Sequence, residues 1–334
     1  MKKITTIFLI AVLCLISLIG FSSCDKNKEG LIRLNEVTHS VFYAPLYVAI
    51  NKGYFADEGL TIELTNGGGS DKSMTAVLSG QADIGLLGPE AAVYVNLQGS
   101  KNYPVVFGQL TKCDGSFLMG RTAQPNFKWS DLSGKEVLGG RKGGMPAMCL
   151  EYALAKNNLI AGNNITINYD VQFDLLTAAF ESGVADYCTM FEPGASQYQA
   201  SGKGYIIASV GAEAGAVPYT CFMATKEYLG ANKEKVTKFM KAIIKAVNFV
   251  ILSTDAEVAL ALKDSFPTTE LSMLESSVKS YRAIDAFMTN PIMTESSFNR
   301  LQDILIASKS IDKKANFTDI IDNSIAQKIL EEQK

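Results

Sequence analysis

The same short word occurs twice in this chain, at the same place in the same order of elements, and that repetition limits the folds open to it. Ser79-Gly80-Gln81-Ala82-Asp83 returns as Ser182-Gly183-Val184-Ala185-Asp186, and each copy leads into an apolar run and then a proline. In the first half, Leu31 to Val37 alternates as a strand and Pro45 opens a helix that ends at Asn51-Lys52-Gly53. Thr61 to Thr65 is a second strand, and Ser70 is placed to cap a helix with Met74, Val77 and Leu78 on one face. Ala82 to Leu87 is a third strand, Pro89 begins another helix, and Val105 to Leu110 is a fourth strand. The second half follows the same plan, with strands at Lys135 to Leu138, Ile165 to Tyr169, Ala185 to Phe191 and Tyr205 to Val210. Helices opened by Pro146, running from Phe173 to Glu181, and started by Pro193 fall between them.

Strands that alternate with helices predict parallel βαβ units, and the repetition predicts two α/β lobes of similar build. Such sheets bind ligands beyond the carboxyl ends of their strands, where loops enter helix N-termini. Those loops are 38–44, 66–71 and 87–90 in one lobe and 139–146 and 191–194 in the other, so a cleft between the lobes is the expected site. From Lys226 onward only helical patterns remain. Lys235 to Leu252 sets Val236, Phe239, Met240, Ile243 and Val247 on one face, and this tail is expected to return to the first lobe and brace it.

The start of the chain reads as an export signal. Lys2 and Lys3 precede an uncharged apolar run to Phe21, then Ser22-Ser23-Cys24 and a polar stretch to Gly30. A cysteine directly after small residues suggests a bacterial lipoprotein whose acylated N-terminus is Cys24; an uncleaved membrane anchor is the other reading, and both leave the body of the protein outside the cytoplasm. The charge is close to balanced, 31 Lys and Arg against 34 Asp and Glu, with no basic stripe, which argues against a nucleic-acid partner. Cys113, Cys149, Cys188 and Cys221 are widely spaced, no CxxC pair exists and His39 is the single histidine. Buried thiols are expected rather than a zinc site, and neither metal nor cofactor is called for.

Three phrases carry a resemblance. Thr38-His39-Ser40-Val41-Phe42-Tyr43-Ala44-Pro45, Asn51-Lys52-Gly53-Tyr54-Phe55 with Glu58-Gly59-Leu60, and the Phe191-Glu192-Pro193 junction resemble the substrate-binding proteins of the sulfonate, nitrate and thiamine-precursor type of ABC importer. The resemblance implies a two-lobed type II periplasmic binding protein fold, each lobe a mostly parallel sheet flanked by helices. It also implies two crossovers, placed near Gln109 to Lys112 and Pro218 to Met223. The expected organisation is a signal peptide over 1–23, a tether over 24–30, lobe 1 from 31–110 and 222–334, and lobe 2 from 111–221. The implied role is capture of a small-molecule solute by a lipid-anchored monomer that delivers it to a permease and its ATPase. The family resemblance does not choose the ligand.

The candidate contacts come from the cleft loops. His39, Phe42 and Tyr43 sit in the first, with the aromatics able to stack on a flat ligand. Gly68 allows close backbone approach, and Ser70 and Asp71 open the next helix. Gly88 and Glu90 flank Pro89, and Glu192 stands beside Pro193 in the matching place of the other lobe. An acid there is favoured by the helix dipole alone, yet either carboxylate would accept hydrogen bonds from an amino group or ring N–H. Arg141, Gly143 and Gly144 belong to a glycine-rich basic loop suited to an anion, although it lacks the ending of a phosphate-binding loop. Tyr219 lies near the second crossover. Glu192, which resembles a glutamate of the thiamine-pyrimidine branch, favours a nitrogen heterocycle; an alkanesulfonate or nitrate is the alternative. An enzyme of the pyrimidine-synthase type on the same fold would use a histidine and a cysteine-rich run, but the matching stretches here are Leu-Gly-Pro-Glu-Ala at 87–91 and a segment holding only Cys221. A Ser-His triad would rest on His39 alone.

Overall fold

Ten strands form two five-stranded sheets in a computed structural model that describes residues 30–333. The expected export signal, the expected acylation site Cys24 and all but the last residue of the expected tether lie outside the described residues. Among those residues no helix is long and apolar enough to cross a membrane.

The first sheet has the order β2-β1-β3-β10-β4 and the second β7-β6-β8-β5-β9. In chain order the strands are β1 (Leu31–Glu36), β2 (Thr61–Asn66), β3 (Ile84–Leu87), β4 (Pro104–Thr111) and β5 (Ser116–Gly120), followed by β6 (Glu136–Leu138), β7 (Thr166–Asn168), β8 (Tyr187–Phe191), β9 (Tyr205–Ser209) and β10 (Thr220–Thr225). β1 pairs parallel with β3, and β6 pairs parallel with both β7 and β8, as alternating strands and helices require. Each sheet also holds one inserted antiparallel strand that the repeat does not announce: β10 between β3 and β4, and β5 between β8 and β9. Both are buried on both faces for most of their length, so neither shows the alternation that marks a half-buried strand. The chain crosses from one sheet to the other between Thr111 and Ser116 and returns between Ala214 and Thr220.

The repeated word has a mechanical meaning. Gly80 and Gly183 adopt positive φ (73° and 99°) just past a helix C-terminus, where a side chain would be strained. The aspartate of each copy then ties that helix end to a parallel strand of its sheet, β1 in one case and β6 in the other. Asp83 accepts from Arg33 N–H at 2.8 Å, and Asp186 accepts from Glu136 N–H at 2.9 Å.

The helical tail packs as its apolar stripe dictates. Val236, Phe239, Met240, Ile243 and Val247 of the helix Lys233–Leu252 are all buried, and that helix lies on the helix Ala44–Asn51 of the first lobe. The tail is not confined to that lobe, however. The helices Leu271–Ala283 and Glu295–Ala307 also touch second-lobe helices, Gly194–Ala200 and Met145–Lys156 respectively. The four described cysteines are buried and free.

Candidate functional site

The two sheets face each other across a seam of aromatic rings and backbone hydrogen bonds. Phe42, fully buried, has its ring 5.6 Å from Phe191, 5.5 Å from Tyr219 and 5.0 Å from Tyr281 between centroids. Glycine at 115, in the first crossover, is what lets the Phe42 ring in: a Cβ there would sit 2.5 Å from it. Beside the rings, Glu192 C=O of the second lobe accepts from Ser40 Oγ at 2.5 Å and from Val41 N–H at 3.2 Å of the first. Glu192 N–H in turn donates to Tyr281 Oη at 2.8 Å, which brings the tail to the same point.

Next to this seam is a cavity of about 30 Å³. Tyr43, Ser70, Gly88 and Glu90 line it from the first lobe, Met145, Pro146, Phe173 and Phe191 from the second, with Tyr219 and Thr220 at the crossover. An adjoining void of about 40 Å³ shares Val37, Ser70, Pro146 and Phe173 with it and adds Gly68, Asp71, Arg141 and Gly144. Room for a few waters is all that this offers, well short of the few hundred Å³ typical of ligand pockets, so the lobes stand shut. Two ion pairs span the rim, Arg141 to Asp71 at 3.5 Å and Lys72 to Asp174 at 3.8 Å.

Glu90 is the charged group of the inner cavity. It is 1% exposed in the first turn of the helix Glu90–Leu97. Its Oε1 accepts from Ser70 Oγ at 3.3 Å, while Oε2 is buried with no hydrogen-bond partner. Burial raises its pKa to about 7, opposed by its own backbone N–H, the Ser70 hydroxyl, the charge of Arg141 and the Ala91 N–H. A carboxylate oxygen without a protein partner on the wall of a cavity is a place for a donor. Asp114, at the first crossover, is a further buried acid of this region. Its Oδ1 accepts from Ser116 N–H at 2.6 Å and Oγ at 2.5 Å, and burial lifts its pKa to about 6.

The structure sorts the sequence candidates. Tyr43, Ser70, Gly88, Glu90 and Tyr219 come together on the inner cavity, and Gly68, Asp71, Arg141 and Gly144 on the outer void. Ser70 does not cap its helix; Gly69 holds that position, and the serine hydroxyl is turned to Glu90. Phe42 stands behind the cavity in the aromatic seam. Gly143 faces outward, its carbonyl accepting from Tyr94 Oη at 2.9 Å. His39 points away from the cavity toward the tail, with Nδ1 2.9 Å from Glu36 Oε1 and Nε2 2.7 Å from Ser265 O. Two acceptors call for both ring N–H groups, and Glu36 raises its pKa accordingly. The Glu192 carboxylate is already used: Oε2 accepts from Ser196 N–H at 2.9 Å and Oε1 from Ser196 Oγ at 2.8 Å, capping the helix that follows. Sequence reasoning did not single out Met145, Pro146, Phe173 or Phe191 as contacts, although Phe191 ends a strand and Met145 and Pro146 open a helix at the carboxyl edge of the second sheet.

With that geometry in hand, comparison with known proteins is informative. Residues 41–256 match the family described as NMT1/THI5 like. YtlA of Bacillus subtilis (strain 168), named as a binding protein, is 40% identical over 310 residues, spanning 92% of this chain and 93% of its own. Among solved structures, the alkanesulfonate-binding protein SsuA from Xanthomonas axonopodis pv. citri, bound to MOPS, superposes with a TM-score of 0.71 at 16% identity over 87% of this chain and 98% of that one. The periplasmic nitrate-binding protein NrtA from Synechocystis PCC 6803 gives 0.70 at 14% identity over 91% and 89%. At these identities the likeness is one of fold, the two-lobed type II periplasmic binding protein architecture.

Proposed function

Since the chain belongs to the NMT1/THI5-like family, we propose that it is the solute-capturing component of an ABC importer, closing its two lobes over a small nitrogen heterocycle that carries donor groups. The observation that carries this reading is Glu90 Oε2, a buried acceptor without a protein donor in a cavity whose walls include the rings of Tyr43, Phe173, Phe191 and Tyr219. Aromatic walls suit a flat ring, and a carboxylate suits an amino group or ring N–H on its edge. A pyrimidine precursor of thiamine has that chemistry. The sequence favoured Glu192 for this part; the pairing of its carboxylate with Ser196 supports Glu90 instead. The reading also holds that the protein binds without turnover and that Cys24 carries the lipid that keeps it at the membrane beside a permease.

Isothermal calorimetry with an aminopyrimidine, riboflavin, taurine and nitrate tests the ligand class. The aminopyrimidine should bind best, and Glu90→Gln should cost about 1.5–3 kcal/mol, roughly tenfold to a hundredfold in affinity, because a hydrogen bond to a charged acceptor is lost. Tighter binding of taurine or nitrate, with Glu90→Gln neutral or improved, would instead assign an anion to the void beside Arg141.

A further inference from the structure

The closed cleft contains a group that closing harms. When the lobes part, both Glu90 oxygens can be hydrated. When they shut, Met145 and Phe173 of the second lobe cover the cavity, and only Oε1 keeps a side-chain partner, Ser70. The charged or titratable groups around Glu90 come from six places: Arg141 in the 139–144 loop, Tyr43 before the helix Ala44–Asn51, Tyr94 on the helix of Glu90 itself, Cys149 on the helix Met145–Lys156, Tyr219 at the second crossover, and Cys221 on β10. Burial pushes Tyr94 up to about 12 and raises Tyr43, Cys149, Tyr219 and Cys221 as well, so all five are neutral at physiological pH. The remaining cation, Arg141, is already beside Asp71 at the rim. Nothing in this set neutralises an ionised Glu90 by contact.

We infer that Glu90 makes closing conditional: the empty cleft shuts only when Glu90 takes up a proton, and at neutral pH a donor group of the solute takes the proton's place. The inference rests on the cleft being the solute site, and it assigns that site a means of keeping the unloaded protein open. An importer that docks the closed form then meets loaded protein at neutral pH.

The sign follows from linkage. A carboxyl with an ordinary pKa of 4.5 rises to about 7 in the closed form, so closing binds a proton and is favoured as pH falls. Above about pH 7 the carboxylate is ionised in both forms and opposition to closing is complete; it fades between 7 and 4.5. Between pH 8.5 and 5.5 the closing equilibrium of the empty protein should shift by roughly thirtyfold.

Small-angle X-ray scattering of the full chain, stripped of co-purified solute, reads this directly. The wild-type radius of gyration should shrink as pH is lowered from 8.5 to 5.5. Asp114, Glu192 and His39 have raised values too, and they remain in Glu90→Gln, so the response that belongs to Glu90 is the part this variant abolishes. A wild-type radius indifferent to pH overturns the inference, as does a Glu90→Gln protein that responds like wild type. Should that variant fail to fold, Ser70→Ala removes the hydroxyl that stabilises the ionised form and must move the wild-type transition to higher pH; an unmoved transition is equally fatal. Solute identity is read by calorimetry, so an error in the ligand class leaves the scattering result to stand by itself.

Discussion

A methyl group on Gly88 would overlap Glu90 Oε2 and lie 2.7 Å from Met145 Cγ. The glycine is therefore what allows the Glu90 carboxylate to fold back over the strand end and the second lobe to close above it. Gly88→Ala should drive the carboxylate off its position and weaken solute binding by about 1.5–3 kcal/mol, measured by calorimetry, while the circular dichroism spectrum stays that of the wild type. Unchanged affinity would mean that Glu90 does not meet the solute. At this scale the sequence was legible only in part. Glu90 and Glu192 look alike as acids beside prolines in matching places, yet the first follows its proline and the second precedes it. Following Pro89 puts Glu90 in the first helical turn, over the cavity. Preceding Pro193 leaves Glu192 outside its helix, where it reaches forward to Ser196. The order Gly-Pro-Glu against Glu-Pro-Gly was there to be read, but its meaning depends on which side of the turn faces the other lobe.

Elements that carry a period, or that stand in the repeated order as β3 and β4 do, were visible in advance, and elements with neither were not. The stripe on Lys233–Leu252 and the paired Ser-Gly-x-Ala-Asp words marked their helices and turns because each residue has a local job. β5 and β10 are short, apolar in their middles and covered on both sides, and they fall outside the repeated order, so they look the same as any linker between longer strands. The reach of the tail into the second lobe was also hidden, since an amphipathic face tells how much is buried and not against what. The helix Leu271–Ala283 shows why that contact counts: its Tyr281 accepts the Glu192 N–H and lies 3.4 Å from Ser40 Oγ. Tyr281→Phe leaves a buried N–H without its acceptor and should lower stability by about 1–3 kcal/mol in urea unfolding. A loss well below that range would show that the tail contributes packing alone at this junction.

For the molecule as a whole, the question is what holds the lobes shut. The rim pairs Arg141–Asp71 and Lys72–Asp174 join side chains that are each nearly half exposed, and such pairs are worth about 1 kcal/mol at most and are screened by salt. The seam of Ser40, Val41 and Glu192 is buried and unaffected by either. Asp174→Asn should therefore change solute affinity by less than about fivefold, and calorimetry at raised salt should give nearly the wild-type value; a larger loss would move the latch from the seam to the rim. The inner place of β10 has a consequence of another kind. A polypeptide leaves the ribosome N-terminus first, and by the time Ser209 has emerged every strand of the second sheet is available, from β5 to β9. The first sheet at that moment has β4 with no neighbouring strand, because its partner Thr220–Thr225 is still to come. The lobe that is made first is completed last, and until β10 arrives β3 and β4 offer the nascent chain bare strand edges that could pair with another chain.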